Sequence, residues 1–112
     1  MNPRRPSEDT IPLHVAVTST ATSVWVEVSG EVDLSNRQRL ESALSEVDFA
    51  RADVVHLDLR HLTFCDTSGC HLLLQLEREA RLSGHETRIL GARPTVRKVL
   101  TLLAADDGPT FV

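Results

Sequence analysis

Leu62-Thr63-Phe64-Cys65-Asp66-Thr67-Ser68-Gly69 is the stretch on which the reading of this chain turns. An apolar, strand-like run arrives at it from Val54, and a helical pattern, Cys70-His71-Leu72-Leu73-Leu74-Gln75-Leu76, leaves it. A strand that feeds a helix is the building unit of α/β domains. Asp66, Thr67 and Ser68 all carry oxygens that accept hydrogen bonds from the free N–H groups of a first helical turn. One or two of them are expected to cap the helix. Ser68 is then either a cap and nothing more, or a hydroxyl at a point of positive partial charge, where a phosphate would be welcome.

Upstream, Leu13, Val15 and Val17 alternate with His14 and Ala16, the period of a strand with one buried face. Thr18 to Ser23 is small and polar and reads as a hairpin loop. Val24, Val26 and Val28 then alternate with Trp25, Glu27 and Ser29 in a second strand. Trp25 falls opposite the valines, either covering the far side of the sheet or standing at a partner surface. Gly30-Glu31-Val32-Asp33 turns the chain. Ser35 with Gln38 has capping-box spacing, so a helix should begin near Asn36 and bury Leu40, Ala43, Leu44 and Val47. Arg37, Arg39, Glu41 and Glu46 lie largely away from that stripe. This helix reads as structural.

Val54 to Leu59 is expected as a third strand at the centre of the sheet, with His56 and Asp58 on one face. The helix after Ser68 should bury Leu72, Leu73, Leu76 and Ala80 and end near Ser83-Gly84, with Gly84 as its C-cap. Glu86 to Leu90 reads as a fourth strand. Pro94 opens a last helix that buries Val96, Val99, Leu100 and Leu103. After a turn at Asp106-Asp107-Gly108-Pro109, Thr110-Phe111-Val112 would add a short edge strand. These intervals predict an α/β fold with a mixed sheet of four to five strands.

The 112 residues suffice for one core, expected over 12–112 behind a polar, proline-marked arm over 1–11. A net charge of −4 offers no basic face for nucleic acid. No apolar run is long enough to span a bilayer, and the start lacks a signal peptide's apolar segment, so the chain is expected in the cytoplasm. In that compartment Cys65 and Cys70 are expected as free buried thiols. Cys65, Cys70 and His71 are close in sequence, but a structural zinc site wants a second pair of ligands, and none follows.

Enzyme chemistry finds little footing. The five histidines, at 14, 56, 61, 71 and 85, stand in no nucleophile-elbow context, and Asp66 occupies the place where Gly-x-Ser-x-Gly would need glycine. No phosphate-binding glycine-rich loop occurs. A binding surface is the better expectation. On the Ser68 helix, Ser68, His71, Leu72 and Gln75 follow neighbouring lines; Leu72 turns inward and leaves His71 and Gln75 exposed beside the serine. Leu74 falls on the outer side, as a partner contact or as a lone surface apolar residue.

Gly30-Glu31-Val32-Asp33, then a helix, then an apolar strand ending in Phe64-Cys65-Asp66-Thr67-Ser68-Gly69, resembles the STAS domain, and more narrowly the anti-sigma factor antagonists of bacteria. The resemblance runs from about Leu13 to Val112, and Asp-x-Ser-Gly at 66–69 is its most specific part. It implies the same mixed sheet with helices packed mainly on one face, and a non-enzymatic regulator that binds an anti-sigma factor while unphosphorylated and so frees a sigma factor. The anti-sigma factor is itself a serine kinase, and phosphorylation of Ser68 ends the binding; a phosphatase resets it. Thr67 is the alternative acceptor. ATP and Mg²⁺ belong to the kinase, so this chain needs no cofactor or metal. By position, Asp66 matches the acidic residue preceding the phosphosite, and Asp33 with Ser35 matches the loop beside the partner surface. The expected partner surface is therefore Asp33, Ser35, Asp66, Thr67, Ser68, Gly69, His71, Leu74 and Gln75. Cys70-His71 departs from the small or apolar pair common in the family. The alternative is a STAS scaffold or small-ligand module in which Ser68 only caps and no kinase acts.

Overall fold

Alternation of valine with polar residues builds the first two strands, β1 (His14–Ser19) and β2 (Ser23–Val32), which pair antiparallel. The structure is a computed structural model and describes residues 11–105 and 107–112. The arm expected over 1–11 therefore lies, apart from Ile11, outside the described residues, as does Asp106 of the expected C-terminal turn. The hairpin loop shrinks to Thr20–Thr22, where the Thr20 hydroxyl oxygen accepts from Ser23 N–H at 3.0 Å.

β2 is the spine of the sheet and bends once. Gly30 has φ +90°, the pairing register shifts between Gly30 and Glu31, and a Cβ on Gly30 would lie 2.0 Å from the Pro12 carbonyl oxygen. No other residue fits there. Upstream of the bend, β2 pairs in parallel with β3 (Val54–Asp58); downstream, it pairs in parallel with β4 (Leu62–Cys65). The apolar run from Val54 to Cys65 is thus two short strands, not one. The Asp58 carboxylate makes the break, accepting from Arg60 N–H at 3.1 Å and from the Arg60 guanidinium at 3.0 and 2.7 Å. β5 (Glu86–Leu90) adds in parallel to the other edge of β3, giving the order β1-β2-β3-β5 with β4 beside β2. Among the described residues the sheet has five strands, with β3 inside it as expected. Thr110 to Val112 make only a parallel bridge, Phe111 against Ile89.

Among the described residues, three helices pack on one face. α1 (Arg37–Ser45) buries Leu40 and Leu44; α2 (Thr67–Leu82) buries Cys70, Leu73, Leu76 and Ala80; α3 (Pro94–Ala104) buries Val96 and Leu100. α2 lies between the other two. Burial of each of these leucine and valine side chains is worth about 1.5–3 kcal/mol. α1 begins where expected, but without a capping box: its N-cap is Asn36, which makes no side-chain cap bond. The Ser35 hydroxyl is turned to Asp33 instead. At the far end of α2, Gly84 N–H bonds Arg81 O and His85 N–H bonds Ala80 O, the paired closure expected of a glycine stop. On the opposite face of the sheet Trp25 stacks on His56, ring centroids 4.1 Å apart, and so covers that side of β3.

Candidate functional site

β2 and β4 run parallel and end together, and Asp66 N–H donates to Val32 O at 3.1 Å across their ends. The β2–α1 loop and the N-terminus of α2 therefore meet outside the carboxyl ends of parallel strands, where open α/β sheets carry their ligands. Asp66 is the N-cap of α2. Its Oδ1 accepts from Gly69 N–H at 2.8 Å and from the Ser68 hydroxyl at 2.8 Å. Thr67 and Ser68 are the first residues of the helix, so neither caps it. Ser68 is half-buried and its hydroxyl serves no backbone group of its own helix; Thr67 is exposed.

Gly69 is required by contact. A Cβ there would meet Cys65 Sγ and Val32 Cγ1, each at 2.7 Å, so glycine lets the helix start sit down on the strand ends. Beneath it, both cysteines are free and buried, with the Cys70 thiol 3.8 Å from the Cys65 carbonyl oxygen. The hydrogen bond with Cys70, then burial, hold the Cys65 thiol well above the usual thiol range. His71 is exposed, so it does not join the thiols in one site.

The β2–α1 loop is fixed from within. Asp33 Oδ1 accepts from Ser35 N–H at 2.8 Å and from the Ser35 hydroxyl, and these bonds, the side-chain one first, lower the Asp33 pKa. Asn36 accepts from Asp33 N–H at 3.0 Å and donates to Glu31 O at 2.8 Å. Beyond Ser68, α1 and α2 enclose a groove of about 550 Å³ lined by Ser68, His71, Gln75 and Glu79 from α2 and by Arg37 and Glu41 from α1.

The structure brings Asp66, Thr67, Ser68, Gly69, His71 and Gln75 together, with the Asp33–Ser35 loop attached through Val32. Leu74 is different. It is half-buried against the core and faces α3, beside Leu103, rather than the serine groove. On a helix flanked on both sides, its outer angle points to a neighbour and not to solvent. Arg37 and Glu41, away from the buried stripe of a helix that reads as structural, form the second wall of the groove. Two further apolar residues stand exposed beside the site: Leu34 is 81% exposed in the loop and Phe64, 51% exposed, lies on β4 opposite Glu31. Leu34 stands outside every periodic stripe between Asp33 and Ser35, and that isolation was its signal.

The STAS domain family matches residues 14–111. The chain belongs to that family. Its fold is similar to that of the anti-sigma factor antagonist SpoIIAA in its unphosphorylated form (24% identity, TM-score 0.66, covering 90% of this chain and 87% of that one). The phosphorylated form of SpoIIAA, the Bacillus cell fate determinant, gives 22% identity and TM-score 0.65 over 90% and 91%. An anti-sigma factor antagonist from Mycobacterium paratuberculosis gives 20% and 0.73 over 89% and 85%. A sulfate transporter family protein from Wolinella succinogenes gives 17% and 0.59 over 99% and 87%. At these identities the likeness is one of fold. Among the described residues no helix is long and apolar enough to cross a membrane.

Proposed function

We propose that this STAS domain is an anti-sigma factor antagonist, with Ser68 as its phosphorylation switch and Thr67 as the neighbour not used. The observation that carries this reading is the Ser68 hydroxyl: held at 2.8 Å by Asp66, at the start of α2, on the rim of an open groove. A partner kinase would transfer the γ-phosphoryl of Mg-ATP to Ser68 Oγ as the bond to ADP breaks, its own base taking the hydroxyl proton. The partner surface comprises the Asp33–Ser35 loop, the Asp66–Gly69 turn, His71 and Gln75, with Leu34 as an exposed apolar anchor. Unphosphorylated, this surface receives the anti-sigma factor and leaves a sigma factor free. Phosphorylation adds about −1.5 to −2 charges beside the Asp66 carboxylate, and repulsion together with desolvation expels the partner without refolding the domain. A phosphatase restores the hydroxyl. The domain itself performs no catalysis.

The test uses immobilised wild type, Ser68→Ala and Ser68→Glu protein and the purified candidate kinase. Wild type and Ser68→Ala should bind equally, and Ser68→Glu should bind about tenfold or more weakly. Equal binding by all three would leave a scaffold in which Ser68 has no switching part.

A further inference from the structure

Asp66 makes a difficulty for a phosphate at Ser68. The Ser68 hydroxyl points at Asp66 Oδ1, and once the oxygen carries a phosphoryl group it has no proton left to donate. A dianion then sits against a carboxylate. The phosphate must turn away, and the space open to it is the groove between α1 and α2.

That groove is electrically polarised along its length. α1 and α2 each follow a strand of the same parallel pair and leave from the same end of the sheet. Arg37, the first residue of α1, therefore lies at the Ser68 end, and His71 stands one turn along α2 from the serine. The acids lie further down. Glu79 is about 16 Å along α2 from Ser68 at 1.5 Å per residue, and Glu41 is a full turn beyond Arg37. Arg37 is held only loosely, 3.8 Å from Glu41 with both side chains about half exposed, a pair that contributes little and exchanges readily.

Resting on the Ser68 reading above, we infer that Arg37 and His71 form a built-in clamp for the phosphoserine, drawing its phosphate across the α1–α2 groove. Arg37 leaves Glu41 for the phosphate oxygens, since a guanidinium on a phosphate makes paired, charge-assisted bonds. His71 donates a second bond from its own turn. The phosphate then bridges two helices and covers the groove, so the modified domain presents a changed surface as well as a new charge.

The test places phosphoserine at position 68 during synthesis, so no kinase is needed, and follows the phosphate by ³¹P NMR through a pH titration. The groups facing it are Arg37 and Glu41 from α1 and Asp66, His71 and Glu79 from α2. The phosphate should titrate about 0.3 to 0.7 pH unit lower in the otherwise wild-type protein than in Arg37→Ala, with His71→Ala and Arg37→Lys intermediate, since lysine keeps the charge and loses the paired bonds. Titration unchanged by Arg37→Ala would overturn the clamp, whether the phosphate then follows a free phosphoserine peptide or is held by backbone N–H groups alone. Failure of the Ser68 switch is a separate result, read in the kinase and binding assays; the ³¹P titration does not depend on either.

Discussion

One carboxylate oxygen at Asp66 serves both the Gly69 N–H and the Ser68 hydroxyl, so the helix cap and the candidate switch are coupled at a single atom. Asp66→Ala removes the cap and should lower unfolding free energy by about 1 kcal/mol in urea titrations. Asp66→Asn keeps an amide oxygen at the cap and should cost only a few tenths. In Asp66→Asn the carboxylate next to the serine is gone, so phosphoserine 68 should repel a bound partner less than in the native sequence. Competition binding with the phosphorylated protein checks this; equal loss of affinity with Asp and with Asn would assign the repulsion to partner carboxylates. Asp66 and Ser68 could be singled out in the sequence because their spacing is that of a helix start. Their division of labour could not, since three consecutive side chains were all competent caps and backbone angles choose among them.

At the scale of elements, the α2 start rests on the strand ends at Gly69. Gly69→Ala drives a methyl into Cys65 Sγ and Val32 Cγ1 and should cost about 1–3 kcal/mol by overpacking. Gly69→Ala with Val32→Ala opens room for the methyl, and its stability should exceed the additive expectation; strict additivity in a double-mutant cycle would contradict the contact. Most elements were readable because their periods are clean: alternating valines in β2, Leu40 and Leu44 on α1, Pro94 at the start of α3. The split between β3 and β4 was not, because Leu59 and Leu62 are as apolar as a strand requires and the break comes from the Asp58–Arg60 bonds. The α1 wall of the groove was unreadable for a similar reason. Arg37 and Glu41 are correctly polar for a helix's outer face, and only the placement of α2 makes that face half of a site.

Across the whole molecule, acid should weaken the fold through its paired carboxylates. Asp58 is buried and its pKa is lowered, first by the Arg60 hydrogen bond. Its contribution is complete above the unfolded value, 3.8, and is lost as pH falls through the lower folded value. Asp33 and Asp107 shift in the same direction, so the terms reinforce one another. Asp58→Asn should lose about 1–3 kcal/mol at neutral pH and show a shallower stability decline below pH 4. Urea unfolding at several pH values reads both; parallel curves for the two proteins would rule Asp58 out as a source of acid sensitivity. The proposed functional edge is the joined end of β2 and β4, and the central claim about that edge is covalent. Purified protein is incubated with Mg-ATP and lysate of its source cells, beside Ser68→Ala, and the phosphate is mapped by mass spectrometry. Phosphate on Ser68, absent from the variant, is the expected result. Phosphate on Thr67 alone, or none in a lysate whose kinases of this class are active, would contradict it.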